Sequence, residues 1–178
     1  MVSIGAAVPV PDDAPAAVTR LYREHWVGLV RLAVLMVDDR QSAEDLVQEA
    51  FAELYRRWPL DDSGKALGYL RTTVLNRSRS TLRRRRVARL YIPPLDRPGA
   101  SAEHEVVLGE ERREVQRALR KLPTRTREVL VLRYYLDLPH ADIAQTLGIS
   151  ESTARATASR GLALLTQHLK TEHSKDAR

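Results

Sequence analysis

The residues with the clearest chemical purpose are arginines. Between Arg71 and Leu90 there are eight (71, 77, 79, 83, 84, 85, 86 and 89) and no acid. Guanidinium groups at this density neutralise phosphates, supplying affinity that falls with salt and carries no base sequence. Four consecutive arginines can also be a solvated helix end or a localisation tag. Because this run follows directly on an amphipathic helix, it reads as a phosphate-tracking surface. A second set, Thr153, Arg155 and Arg160, falls on the outer surface of a later helix, where arginine can meet DNA. A third set is acidic: Asp38 to Glu53 carries six acids (38, 39, 44, 45, 49 and 53) against a single Arg40. That stretch suits a partner other than nucleic acid.

The elements that must hold Arg155 and Arg160 lie in LDLPHADIAQTLGISESTARATASRGLALL, Leu136 to Leu165. Pro139 suits the first helical position, where its missing N–H is no loss. Ile143, Ala144 and Leu147 form an apolar face at helical spacing. Gly148 accepts the left-handed backbone of a helix C-terminus, and Ser150 can cap the next helix. The small Ala144 lets the two helices cross closely. This is the spacing of a helix-turn-helix, whose second helix enters the DNA major groove. An ordinary αα-hairpin is the alternative, and the full Ile-Ala…Leu-Gly-Ile-Ser pattern favours DNA binding over it.

Composition bounds the remaining classes. The 178 residues suffice for one large or two small domains, and 43% hydrophobic with 29% charged residues is globular. Net charge is +6, which favours a polyanionic partner. No apolar run approaches the ~20 residues of a membrane span. Residues 1–14 lack the basic start of a secretory signal and read as a tail on a cytoplasmic protein. There is no cysteine for a disulfide or thiolate site, and the five histidines are scattered without ligand spacing. No P-loop, Gly-x-Gly-x-x-Gly, His-Glu-x-x-His or Gly-x-Ser-x-Gly occurs, and the pairs Asp38-Asp39 and Asp61-Asp62 sit in expected turns. Binding is favoured over catalysis; no cofactor or metal is expected.

Apolar residues recurring at three and four predict a helix over Thr19 to Val37. A second starts at Ser42, read as its cap with Asp45 three residues on. Ala43, Leu46, Val47, Ala50, Phe51, Leu54, Tyr55 and Trp58 form its wide apolar stripe, and Pro59 ends it. Leu60 to Lys65 is a polar loop. A third helix places Leu67, Leu70, Val74 and Leu75 inward and runs into the arginines. Residues 91–103, rich in proline, are a linker. Val106, Val107, Val115, Ala118, Leu119 and Leu122 begin a second helical unit, stopped by Pro123. Thr124 can cap a helix carrying Val129, Leu130, Leu132 and Tyr135, and the residues after Leu169 read as frayed. The fold is all-α: a tail (1–14), a first domain (15–90), the linker, a second domain (104–170) and a C-terminal tail (171–178).

In combination these stretches resemble an extracytoplasmic-function (ECF) sigma factor of actinobacterial type. SAEDLVQEAFAELYRRW (42–58) resembles the family's core-polymerase-binding helix. LGYLRTTVLNRSRSTLRRRR (67–86) resembles its promoter-melting helix, and residues 119–165 its second DNA-binding domain. The resemblance implies that Asp45, Gln48 and Glu49 dock on core RNA polymerase. It implies that the loop Leu60, Asp61, Asp62 and Ser63, with Asn76 and Ser80, holds a base flipped from the melted non-template strand of the minus-ten element. Arg79, Arg83, Arg84 and Arg86 would follow phosphates. Ser152, Arg155, Ala156, Ser159 and Arg160 would read the minus-thirty-five element. A paired arginine–guanine contact is worth roughly 1–3 kcal/mol of discrimination, and a phosphate contact is the alternative for Arg155 or Arg160. Leu130 to Leu138 would lie near the polymerase flap.

The chain departs from the family at several places: Leu60 replaces a usual aromatic and Tyr69 the usual tryptophan, Ser80 stands where an acid or asparagine is common, and Ala154, Ala156 and Thr157 alter the recognition helix. The implied partners are core RNA polymerase and promoter DNA, with a separate anti-sigma protein as a family expectation, no membrane and no homo-oligomer. Two other readings are a freestanding helix-turn-helix regulator, which leaves the acidic helix unexplained, and a DNA-processing enzyme, which lacks a catalytic constellation.

Overall fold

The structure, a computed structural model, describes residues 14–37, 39–60, 65–91 and 110–176. Every extended element among them is helical, without a strand. The expected linker, Val106 and Val107 lie outside the described residues.

Helix α1 (Ala14–Val37) begins five residues before the expected Thr19. It turns into α2 (Arg40–Arg57), whose N-cap is Asp39 rather than Ser42. The Asp39 carboxylate accepts the Ser42 N–H at 2.7 Å, so the helix starts earlier than a serine cap predicts. The Ser42 hydroxyl accepts instead from Arg85, at 2.6 Å. Trp58 is extended (φ −71, ψ 144), as a residue before proline favours, and α2 stops there. Helix α3 (Ala66–Tyr91) then packs across both. Leu32, Met36, Leu54, Leu70 and Leu75 are fully buried between the three helices. Each such side chain contributes on the order of 1.5–3 kcal/mol by leaving water.

The second unit comprises α4 (Glu110–Lys121), α5 (Thr124–Leu130), α6 (His140–Leu147) and α7 (Glu151–Asp176). Pro123, not Thr124, occupies the cap position of α5, with no side-chain cap bond. After α5 the chain widens into a π turn, Val131–Tyr135, closed by the Leu136 N–H on the Val131 carbonyl at 3.2 Å. The wider turn carries Tyr134 and Tyr135 outward, so Tyr135 is exposed rather than part of the core. Pro139 precedes α6 as its cap, one position before the expected one. Helix α7 continues to Asp176, past the fraying expected after Leu169. The two units touch: α1 meets α4, α5 and the π turn, and α3 meets α6.

Candidate nucleic-acid interface

The helix-turn-helix forms as its residues require. Gly148 sits in the left-handed region (φ 63, ψ 43), where a Cβ would be strained. The Ile149 N–H returns to the Ala144 carbonyl at 3.0 Å, and the Ser150 hydroxyl accepts the Thr153 N–H at 3.1 Å. Ile143, Ala144 and Leu147 of α6 face Ala154 and Ala158 of α7 in the core. Gly161 lets α7 run hard against α5, since a Cβ there would lie 2.6 Å from a Thr126 methyl. This burial turns the other side of α7 outward. Ser152, Arg155, Ala156, Ser159 and Arg160 are all exposed there. Arg155 donates to Glu151 at 2.8 Å and Arg160 to the Ala156 carbonyl at 3.3 Å. Both are solvent-exposed contacts within one helix, worth little and readily exchanged for a phosphate or a base.

On α3 the expected minus-ten residues divide. Asn76, Ser80 and Arg84 line a groove of about 500 Å³ with Thr73, Arg77 and Leu46, walled on the α2 side by Glu49 and Glu53. Arg83, Arg84 and Arg86 are exposed, Arg84 donating weakly to Thr81 at 3.3 Å. Arg85, inside the same run, turns inward. It donates to the Val37 carbonyl at 2.7 Å, to Asp39 at 2.6 Å and to the Ser42 hydroxyl. Burial pushes the Asp39 carboxyl up, but the Ser42 N–H and Arg85 outweigh it and hold the group below its ordinary value. Arg79 donates both to Asn76, at 2.8 Å, and to Glu128 of α5. Leu60 packs partly buried against the core; Asp61, Asp62 and Ser63 lie outside the described residues.

On α2, Asp45 and Gln48 are exposed on the face opposite the core. Glu49 is exposed as well but ion-paired to Arg77, which also donates to Glu53 at 3.0 Å. Arg77, together with the Tyr69 hydroxyl, lowers the Glu53 carboxyl below its ordinary value. Tyr55 is 50% exposed and shares the outer face with Asp45, Gln48 and Ala52. Its place in the expected apolar stripe is a correction. That stripe spans more of the helix than the core covers, and tyrosine tolerates a surface position. The outward π turn forms one wall of a second groove, about 740 Å³, where Tyr134 faces Leu162 and Ser159 of α7. At position 69, where the sequence departs from the family's usual tryptophan, the Tyr69 hydroxyl donates to the Glu53 carboxylate at 3.0 Å.

No group of residues that could hold a metal ion occurs among the described residues, and no helix there is long and apolar enough to cross a membrane. What the chain presents is two helical units, one ending in exposed arginines and one carrying a helix-turn-helix. The pattern of sigma-70 region 2 matches residues 21–87 and that of sigma-70 region 4 matches residues 112–165. The fold and the surface together define the class of RNA polymerase sigma factors.

Curated relatives narrow the class. An RNA polymerase sigma-E factor of Streptomyces antibioticus is 32% identical over 152 residues, covering 85% of this chain and 83% of the relative. The ECF RNA polymerase sigma factor SigL of Mycobacterium tuberculosis is 32% identical over 167 residues, covering 88% and 93%. Among solved structures, CnrH in complex with the cytosolic domain of CnrY superposes with a TM-score of 0.66 at 25% identity, covering 89% of this chain and 95% of that one. The sigma factor RpoE from Bartonella quintana, in complex with the anti-sigma factor NepR, shares the fold, with a TM-score of 0.61 at 19% identity and coverage of 85% and 98%. The chain belongs to the extracytoplasmic-function family of sigma factors, of actinobacterial type. It is a transcription initiation factor and not an enzyme, with core RNA polymerase and promoter DNA as its partners.

Proposed function

We propose that the two units divide promoter recognition between them, with residues 15–90 and 104–170 as the working domains. The outer face of α2 docks core polymerase through Asp45 and Gln48, with Tyr55 adding an apolar contact and Glu49 at the margin. The observation that carries this reading is the segregation of charge. An exposed acidic face on α2 stands in a chain of net charge +6, while α3 and α7 present arginines. A freestanding DNA-binding regulator has no use for that acidic face.

In this reading the groove between α2 and α3 receives the minus-ten strand. Asn76 and Ser80, with the loop Leu60 to Ser63, offer amide and hydroxyl groups to the Watson–Crick edge of a flipped base. Extruding a base costs a few kcal/mol, which capture in the groove and phosphate contacts from Arg79, Arg83, Arg84 and Arg86 offset. Ser152, Arg155, Ala156, Ser159 and Arg160 meet the minus-thirty-five element in the major groove. The outward Tyr134 and Tyr135, within Leu130 to Leu138, face the polymerase flap. The protein works in the cytoplasm, where polymerase is, and a separate anti-sigma protein regulates it.

The test is binding to purified core polymerase by the wild type, Asp45→Arg and Tyr55→Ala. Glu49 is left intact because its loss would also take one of two carboxylate partners from Arg77. Stoichiometric binding by the wild type, weakened tenfold or more by each variant with helicity unchanged, supports the docking face. Undiminished binding by Asp45→Arg would reject it.

A further inference from the structure

We propose that Arg125 of α5 is a positioning residue for promoter reading, holding the N-terminal end of α7 so that Arg155 meets its base pair in register. This rests on the reading of α7 as the minus-thirty-five helix and adds the group that aims it.

The turn that joins α6 to α7 is soft at one residue. Gly148 lies at φ 63, ψ 43, and without a Cβ it meets little steric resistance to other angles. Both ends of the peptide before it are nevertheless held. The Gly148 N–H returns to the Ala144 carbonyl, as the Ile149 N–H does at 3.0 Å. The Leu147 carbonyl closes α6, where helix geometry leaves it without an N–H from its own helix, and it accepts from the Arg125 guanidinium at 2.7 Å. Arg125 also sets a cation at the negative end of α6. A second arm fixes Arg125 itself: another nitrogen donates at 3.2 Å to the carboxylate of fully buried Glu128, which Arg79 meets from α3. A planar guanidinium makes both bonds in one geometry, whereas a lysine ammonium is a point donor on a flexible stem.

Helix α7 is thus tied to α5 at two places. At Gly161 the seat is direct, since a Cβ there would come 2.6 Å from the Thr126 methyl and 3.2 Å from Leu130. Towards the N-terminus the tie runs from Arg125 through Leu147 and Gly148 to Ser150, whose hydroxyl accepts the Thr153 N–H. Between the two, α7 meets α6 through buried Ala154 and Ala158, side chains too small to interlock. Arg160 adjoins the direct seat. Arg155 stands six residues from Gly161, about 9 Å at ~1.5 Å per residue. A swing of ~10° about Gly161 carries it by roughly 1.6 Å. Recognition geometry tolerates only about 0.5 Å. Releasing the Leu147 carbonyl therefore displaces Arg155 and leaves Arg160 in place.

The experiment titrates holoenzyme made with the full chain against promoter duplexes carrying single substitutions. Two pairs are compared, the one where Arg155→Ala relaxes preference and the one where Arg160→Ala does. Arg125→Met keeps the length of the stem and removes the donors, and Glu128 retains Arg79. The expected result is a loss of about fivefold or more in discrimination at the Arg155 pair. Discrimination at the Arg160 pair and the salt slope should stay as in the wild type. Arg125→Lys should fall between, and it decides the matter if Arg125→Met misfolds: full discrimination in Arg125→Lys would then overturn the proposal. A uniform loss over all sequences, with the log–log salt slope lower by ~0.9, would make Arg125 a phosphate ligand instead. Equal losses at both pairs, or a lower melting temperature with discrimination intact, would reduce it to a stabilising residue.

A measurement without DNA separates this claim from the reading beneath it. The chain has no native cysteine, so spin labels on Gln145→Cys of α6 and Ser152→Cys of α7, both exposed positions, report how the two helices are held. Arg125→Met should broaden the distance distribution, and Arg125→Lys should broaden it less. An unchanged distribution in folded Arg125→Met, or in Arg125→Lys where that variant stands in, would overturn the positioning role whatever the DNA result. A broadened distribution, in a chain whose Arg155→Ala variant relaxes no base preference, would leave the positioning role standing and remove Arg155 from the reading of the minus-thirty-five element.

Discussion

The guanidinium of Arg127 donates a 2.9 Å hydrogen bond to the main-chain carbonyl of Met36, ninety-one residues earlier in the chain. The next carbonyl, that of Val37, is taken by Arg85 at 2.7 Å. The last turn of α1 is therefore capped by two arginines from two distant helices. Helix ends leave carbonyls without partners, and cations there complement the helix dipole. Arg127 donates also to the Arg120 carbonyl at 2.8 Å, so one side chain ties the end of α1 to the last turn of α4.

Arg85 is structural although it stands among phosphate-facing arginines. Replacing it with alanine removes hydrogen bonds to Val37, Asp39 and Ser42. Because the side chain is partly exposed, the loss should be about 1–2 kcal/mol, at the lower end for charged hydrogen bonds. Arg86→Ala, at an exposed neighbouring position, should change stability by less than ~0.5 kcal/mol. Urea unfolding of both variants measures the contrast, and equal midpoints would contradict it.

Asp39 and Glu53 both have carboxyls held below their ordinary values of 3.8 and 4.5. A depressed folded pKa contributes stability that is complete above the unfolded value and is lost as pH falls through the folded one. The first unit should therefore keep its stability from neutrality down to about pH 4.5 and weaken progressively below it. The double variant Asp39→Asn, Glu53→Gln should start less stable at pH 7 and show a flatter acid limb. Thermal melts from pH 7 to pH 3 would display the difference.

Glycines at 161 and 28 should respond oppositely to alanine. At Gly161 a Cβ meets the Thr126 methyl at 2.6 Å and Leu130 at 3.2 Å, an overpacking that costs about 1–3 kcal/mol. At Gly28, on the exposed side of α1, an added Cβ would meet nothing within 4 Å, and alanine there should stabilise by ~0.5–1 kcal/mol. Thr126→Ala should recover part of the Gly161→Ala loss. Calorimetric melting temperatures that move the same way for both glycine variants would count against this account.

Arg155 and Arg83 offer a test of base reading against phosphate binding. With the holoenzyme, Arg155→Ala should lower affinity for a cognate promoter by roughly 1–3 kcal/mol and relax preference at one base pair of the minus-thirty-five element. Arg83→Ala should weaken all sequences alike and reduce the salt slope by ~0.7–0.9. Competition binding over a salt series distinguishes them. A uniform loss with Arg155→Ala would reassign that residue to a phosphate.

Much of the protein is written locally. Helical spacing places α2 and α6 because each buries one stripe, and Gly148 and Ser150 specify the turn between α6 and α7 through their own backbone and hydroxyl chemistry. The segregation of acids from arginines needs only counting. What the tertiary structure decides is where side chains with long reach find partners. Asp39 displaces Ser42 as a cap because Arg85 of α3 arrives to occupy the hydroxyl. Tyr55 lies outside the core because the span of α2 that α1 and α3 cover is narrower than its apolar stripe. Arg79, one arginine among eight in its stretch, is singled out by a buried carboxylate forty-nine residues away. Periodicity reports which face of a helix is apolar. It carries no information about which distant element that face, or a guanidinium at its edge, will meet.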